Sequence, residues 1–304
     1  MKMFPDDGTC ASYLALARWP EKFVCPACKA ASTPWKIIRD LLLCPICRHQ
    51  TSVAAGTIFD KTRTPLTTWF EGAWHVTTAK NGMSAKTLER TMGISYKVAW
   101  MMLHRFRVAM VNAERKQLSG NVEVDETFVY DEGSDGKRGR GTAKSIVAIA
   151  VEIMEPKGFG RVRMRHIPDA SGKSLLPFVR DVILPGSVVR TDGWKAYNRL
   201  HEYGYTRDIV LLSSSGNPAH VSMPGVHRVS SLMKRWFLGT HQGSVSPNHL
   251  QSYLEEYTFR FNRRTSKSRG LLFRRLLEQA VITSPTTAND ITNGYNWNRN
   301  NISI

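Results

Sequence analysis

Four cysteines and two aspartates carry the chemistry that is legible in this chain. Cys25-Pro-Ala-Cys28 and Cys44-Pro-Ile-Cys47 repeat one C-x2-C spacing on either side of an intervening segment. Two such turns can present four thiolates at tetrahedral distances, the donor set of a structural zinc ion. A redox C-x-x-C is the rival reading, and its doubling in a basic chain argues against it. Cys10 lies outside the pattern and is read as a plain small residue. The segment Lys36–Leu43 supplies strand material for a hairpin that brings the two turns together. A module of this size buries little core, so the ion would supply its folding energy. The spacing alone does not choose between nucleic acid and protein as its partner.

The two aspartates stand on strand patterns. Asp125 sits within the alternating run Asn121–Tyr130, flanked by Glu123 and Glu126. A carboxylate in mid-strand is costly unless it has a task. Asp192 closes the run Ser187–Asp192. Between them, Asp131–Lys144 is rich in Gly and basic residues and reads as an exposed hairpin loop. Residues 145–154 form a continuous apolar run, and residues 160–167 alternate basic and apolar, as a half-exposed strand would. Residues 171–182 read as a helix, and a further helix starts directly after Asp192. Three strands, a helix and a strand ending in an acid is the order of a ribonuclease-H-like sheet, in which the first and fourth strands are neighbours. Asp125 and Asp192 would then stand side by side. Paired carboxylates suit Mg²⁺, and two such ions can clamp both oxygens of an in-line phosphoryl displacement.

The remaining elements must position these groups and bring a substrate to them. The 304 residues carry 42 Lys and Arg against 25 Asp and Glu, a net charge of +17. That balance points to a polyanionic partner and away from a neutral small molecule. The 42% hydrophobic and 22% charged content is that of a globular chain. No apolar run approaches the ~20 residues of a membrane span, and no signal-peptide core precedes the first helix pattern. The expected location is the cytosol, where thiols stay reduced. Residues 66–113 read as helices, with Trp69, Phe70 and Trp74 at helical spacing. Ser84 caps a helix bearing Leu88 and Met92, Gly93 makes a turn, and Ser95 starts the next helix. This is a helix-turn-helix pattern, and on pattern alone a hairpin that only packs is equally open. The charge and the neighbouring cysteine module favour DNA, with Lys86, Arg90, Lys97, Arg105 and Arg107 directed at phosphates.

Four blocks together carry a resemblance. They are Val122-Glu-Val-Asp125-Glu-Thr, Thr191-Asp192-Gly-Trp-Lys-Ala-Tyr197, Lys234-Arg-Trp-Phe-Leu-Gly-Thr-His241, and the run from His249 to Arg264. The chain resembles bacterial insertion-sequence transposases, in the group related to the eukaryotic Merlin elements, which also carry an amino-terminal zinc ribbon. The resemblance spans roughly residues 20–265. It implies an α/β chain with a ribonuclease-H-like mixed sheet and a DDE-type metal site acting on inverted-repeat ends. The family's third acid lies on a late helix, seven positions before a Lys. Counting back from Lys234 gives His227, so histidine occupies the acid's position. Related members carry Asn or His there. Neutral imidazole ligates divalent ions, and as the softer ligand it shifts preference toward Mn²⁺. Glu255 and Glu256 compete for the same role, against a plainer reading as solvated helix residues.

The resemblance thus implies that Asp125, Asp192 and His227 hold Mg²⁺ or Mn²⁺, with Lys234 and Arg235 at the DNA backbone. The partners are double-stranded terminal repeats and target DNA, and joining two ends implies a homodimer or larger synaptic assembly. The expected order is a zinc ribbon over 1–60, a helix-turn-helix-like region over 61–115, a catalytic domain over 116–280 and a polar tail over 281–304. Trp194 and Tyr197 are read as core, and Asn262 as a structural group at a helix end. A catalytically silent DNA-binding protein is the alternative. A zinc-ribbon transcription or RNA-binding factor would leave both strand aspartates unexplained.

Overall fold

Short-range capping sets the starts of three helices, Asp7–Arg18, Ala85–Met92 and Tyr96–Ala109, in this computed structural model. It describes residues 3–38, 41–112, 115–129, 145–154, 156, 158–210, 219–243 and 245–295. The expected hairpin loop over 131–144 and the end of the polar tail lie outside the described residues. Helix α1, Asp7–Arg18, begins where the Asp6 side chain accepts from the Thr9 N–H at 2.7 Å. Five two-residue strands follow: β1 (Phe23–Val24), β2 (Ala31–Ser32), β3 (Trp35–Lys36), β4 (Leu42–Leu43) and β5 (Gln50–Thr51). They form a two-stranded ribbon, β1-β2, and a three-stranded one, β3-β4-β5. Helix α2, Leu66–Thr78, buries Trp69 and Phe70. Helix α3, Ala85–Met92, starts at Ser84, whose hydroxyl accepts from the Thr87 N–H at 3.1 Å. It ends at Gly93 with φ +67, a left-handed conformation that glycine adopts without penalty. Helix α4, Tyr96–Ala109, starts at Ser95 and packs on α3.

The larger sheet contains β6 (Asn121–Val129), β7 (Ser145–Ile153), β8 (Phe159–Ile167), β9 (Val188–Asp192) and β10 (Thr206–Val210). Helix α5, Gly172–Val182, connects β8 to β9, and a 3-10 helix, Lys195–Tyr203, connects β9 to β10. The strand order is β10-β9-β6-β7-β8. Strands β6, β7 and β8 run antiparallel in sequence, while β9 pairs parallel to both β6 and β10. The first and fourth strands are therefore neighbours, as the ribonuclease-H-like order requires. Helices α6 (Ala219–Ser222), α7 (Pro224–His241) and α8 (Pro247–Phe261) follow.

Both faces of the sheet are covered, which explains the unbroken apolar run of β7. Val147, Ile149 and Val151 pack with Val226, Val229 and Met233 of α7 and with Leu254 and Tyr257 of α8. Ala148 and Ala150 point the other way, into a core of Leu175, Phe178 and Val179 from α5 with Tyr197 and Leu200. Strand β8 is less exposed than its alternation predicts. Arg163, opposite Ala150, is 5% exposed and donates to the carbonyls of Val162 and Lys116 at 2.9 Å each. Burial lowers its pKa to about 10. Asn262 has the structural role expected. Its amide accepts from the Val162 N–H at 2.7 Å and donates to the Val162 carbonyl at 3.2 Å, as a neighbouring strand would.

The chain divides into two compact units, Met1–Val111 with Ser266–Thr292, and Asn112–Thr265 with Asn293–Ile304. Helix α9, Arg269–Ala280, belongs to the first, where it packs on α1, α2 and α4. The sequence reading assigned that segment to the catalytic region. Helix α10, Ala288–Thr292, packs on α4 and buries Ile291, so this part of the polar segment is ordered on a core. Among the described residues no helix is long and apolar enough to cross a membrane. Phe178 has no exposed surface. Its replacement by Ala is expected to cost about 3–5 kcal/mol in chemical denaturation. A loss below about 1 kcal/mol would contradict its place in the core.

Candidate metal centres and nucleic-acid interface

Each C-x2-C turn is built by the same backbone device. The Lys29 N–H donates to the Cys25 carbonyl at 2.9 Å, and the Arg48 N–H to the Cys44 carbonyl at 3.0 Å. Lys29 and Arg48 both take φ +62, so both turns reverse identically. Cys25 and Cys44 are buried with Phe23 and Leu42, while Cys28 and Cys47 are exposed. The sulfurs of Cys25 and Cys47 lie 3.6 Å apart, and those of Cys28 and Cys44 3.8 Å. Four sulfurs about 2.3 Å from one zinc ion would be separated by about 3.8 Å, so the donor set fits. The backbone N–H of Cys47 leads the groups that lower the Cys44 thiol to about 6. Cys47 moves the other way: a His49 N–H pulls it down, but burial and the neighbouring sulfurs push it up to about 12. Cys44 and Cys47 thus differ in their hold on a proton, and a bound cation would stabilise both as thiolates.

In the helix-turn-helix, Lys86, Arg90 and Lys97 are exposed. Lys86 also pairs with Glu89 at 2.6 Å. Arg105 is half-buried, donates to the Ile58 carbonyl at 3.2 Å and lies 5.9 Å from the centre of the Trp69 ring. Arg107 is 1% exposed, and its expected phosphate contact is corrected: the side chain belongs to the interior of α4's packing face.

The second candidate centre lies where β6 and β9 part. Their pairing ends at Glu123 opposite Arg190. The same register continued by two residues sets Asp125 level with Asp192. Beyond that point β6 stays with β7 and β9 with β10, so the two strand ends open into a fork. Ligands of open α/β sheets commonly bind in such a fork. Asp125 accepts from the Glu126 N–H at 2.9 Å, and Asp192 accepts from the Trp194 N–H at 3.0 Å. The block Thr191–Tyr197 is a holder for this end of β9. Arg207 donates to the Thr191 hydroxyl and to the carbonyls of Asp192 and Trp194 at 3.0, 2.9 and 3.1 Å. The Trp194 indole donates to the Ala170 carbonyl at 2.8 Å. Tyr197 is fully buried, as expected of a core residue, yet its hydroxyl donates to Glu126 at 3.1 Å. Burial first, then the charges of Glu126, Asp125 and Asp192, raises its pKa well above the usual phenol value.

Helix α7 packs on β6 and β7. Glu123 accepts from the Val226 N–H at 3.0 Å, and the Ser230 hydroxyl donates to Thr127 at 3.0 Å. His227 lies between Val226 and Ser230 on the helix, as Asp125 lies between Glu123 and Thr127 on the strand. Lys234 is half-buried and Arg235 exposed further along α7. The cysteine tetrad is the one group of three or more His, Cys, Asp or Glu side chains, among the described residues, whose ligand atoms converge within 4.8 Å. Asp125, Asp192 and His227 do not close into a second such group.

Glu255 and Glu256 are 2% and 1% exposed, which corrects the solvated reading. Glu255 pairs with Arg115 at 2.9 Å and accepts from Gln251, which is itself bonded to β8. Glu256 pairs with Arg260 at 2.9 Å. Two groups escaped the sequence reading as site components. Glu123 shares Asp125's strand face at period two, and Tyr197 closes the block that begins at Thr191. Both signals were present in the spacing.

Residues 5–50 match the transposase zinc-ribbon domain, and residues 117–262 match the ISXO2-like transposase domain. A protein of the transposable element ISH50 from Halobacterium salinarum is 28% identical over 280 residues, covering 86% of this chain and 92% of that protein. A transposase-like protein of Haemophilus influenzae is 25% identical over 116 residues, 38% of this chain and 93% of its own length. The purified chain is expected to carry about one zinc ion in its cysteine tetrad. Elemental analysis of wild type and Cys44→Ala checks this, and full zinc content in the variant would refute the assignment.

Proposed function

We propose a reaction for a chain that belongs to the ISXO2-like transposase family: cleavage of DNA at the inverted-repeat ends of its element, followed by strand transfer to target DNA. The observation that supports this reading is the parallel β6–β9 pairing, which ends at Glu123 opposite Arg190 and, carried on by two residues, would set Asp125 level with Asp192. The two carboxylates supply hard oxygen ligands, and His227 supplies a nitrogen from the helix docked on β6. When bound there, Mg²⁺ or Mn²⁺ would supply Lewis-acid activation and neutralise charge on the scissile phosphate. The Trp194 N–H and Arg207 keep Asp192 and its main chain oriented while a phosphate is handled. Lys234 steadies a non-bridging phosphate oxygen through a charge-assisted hydrogen bond. Water is the first nucleophile, and the freed 3′-hydroxyl is the second.

The zinc ribbon and the α3–α4 pair hold the duplex. Lys86, Arg90, Lys97, Arg105 and Arg235 contact its phosphates, which sets register without reading sequence. Two ends are cut and joined, so the working form is a homodimer or larger synaptic assembly on DNA in the bacterial cytoplasm. The histidine in the acid's position favours one alternative, a DNA-binding protein that has lost the chemistry.

The test is nicking of a labelled duplex carrying the element's end, with Mg²⁺ or Mn²⁺. Asp125→Ala and Asp192→Ala are expected to reduce cleavage by at least about 10²-fold while sparing DNA binding. Full activity in either variant would sink the assignment. Loss of nicking in His227→Ala supports histidine as third ligand, and nicking that survives moves that role to Glu255 or Glu256. Tight binding without nicking by wild type, in either metal, supports the silent alternative.

A further inference from the structure

Glu123 occupies a position that neither packing nor the proposed metal chemistry explains by itself. It is a carboxylate 1% exposed, on the central strand of the sheet. One oxygen accepts the Val226 N–H at 3.0 Å. The other, Oε1, is buried with no hydrogen-bond partner. Leaving such an oxygen unpaired is costly, so the contact that holds the side chain there must return more than packing does.

That contact is with the first turn of α7. The helix begins at Pro224, its preceding residue Met223 makes no side-chain cap, and Glu123 reaches across from β6 to accept a free N–H of that turn. Carboxylates at this end of a helix are favoured by the unpaired N–H groups and the helix dipole. The approach is close at Gly225, where an added Cβ would oblige two side-chain tips to shift. A Cβ at Gly225 would stand 2.8 Å from the Glu123 Oε2 and 2.7 Å from the Ile153 Cδ1, closer than such contacts come. A second tie, Ser230 to Thr127 at 3.0 Å, fixes the next turn of α7 to the same strand. The two ties bracket Asp125 on β6 and His227 on α7.

We infer that Glu123, with Gly225, is a positioning residue: together with the Ser230–Thr127 tie it clamps α7 to β6 and sets where His227 stands relative to Asp125. The inference rests on the proposed metal site. Glu123 itself touches neither substrate nor ion in this role. A helix free to slide by about 1 Å would misplace the imidazole, and displacements of that size cost about 10²-fold in rate.

The experiment is calorimetric titration of Mn²⁺ into the zinc-loaded full chain, without DNA. Glu123→Ala is expected to weaken binding by about 10–100-fold, as loss of a ligand-orienting group does. Glu123→Gln keeps an oxygen acceptor for the Val226 N–H and is expected to restore binding to within about 3-fold of wild type. Ser230→Ala, a mild change at the second tie, is expected to weaken binding by about 2–10-fold. Val179→Ala, a core truncation in α5, serves as the control: it lowers thermal stability but leaves Mn²⁺ binding unchanged. Wild-type affinity in both Glu123→Ala and Ser230→Ala overturns the clamp and leaves the metal site standing. Equal weakness in Glu123→Gln and Glu123→Ala also overturns it, because the cap is kept and only charge is lost. If Glu123→Ala does not fold, Ser230→Ala against Val179→Ala decides. Absence of Mn²⁺ binding by wild type overturns the metal site and the clamp together.

Discussion

Parallel pairing of β6 with β9 is the constraint on which the larger unit depends. It starts before the strands proper, where Leu118 bridges Ile183, and runs through Asn121 opposite Val188 to Glu123 opposite Arg190. Parallel neighbours cannot be joined by a tight turn, so the chain must leave the sheet and return. β7, β8 and α5 are that excursion. Their apolar residues fill both faces, and Phe178, Val179 and Leu175 pay nothing in buried polar groups for doing so. The pairing then stops at Glu123 opposite Arg190, two residues short of Asp125 and Asp192.

Charge is the difficulty of such a site. The chain is strongly basic, yet the Tyr197 hydroxyl bonds to Glu126, and the charges of Glu126, Asp125 and Asp192 help raise its pKa. Backbone N–H groups, the Tyr197 hydroxyl and the Arg207 guanidinium share the stabilisation of this end of the sheet. Elsewhere in the unit the same problem is met by arginine. Arg161 forks onto Glu152 with bonds of 2.9 and 2.5 Å, and Arg115 and Arg260 take Glu255 and Glu256. Breaking one partner of such a buried pair leaves an uncompensated charge, so these arginines are structural.

The first unit solves a different problem. Its ribbon strands are two residues long, and their apolar cluster is Phe23 and Leu42 with two cysteines and part of Trp19. A core that small cannot offset the entropy of ordering the chain, and four sulfurs held within 4.8 Å are the remaining source of stability. The helices around α2 form a conventional core, closed by α9 and α10 from the far end of the sequence.

Local chemistry was legible in the sequence because its partners lie within a few residues. The C-x2-C spacing, the serine caps at Ser84 and Ser95, the left-handed turn at Gly93 and the strand periods each depend on neighbours along the chain. The order of strands set β6 beside β9, the two strands that carry Asp125 and Asp192. Tertiary structure decided everything whose partner is remote. Arg115 meets Glu255 across 140 positions, and Glu123 meets Val226 across 103. The burial of Arg107 and Arg163 and the return of α9 to the first unit are of the same kind. A charged residue reads as solvated until the fold supplies its counterpart. Sequence patterns encode periodicity and turns, whereas the pairing of distant charges is fixed only by how the packed elements meet.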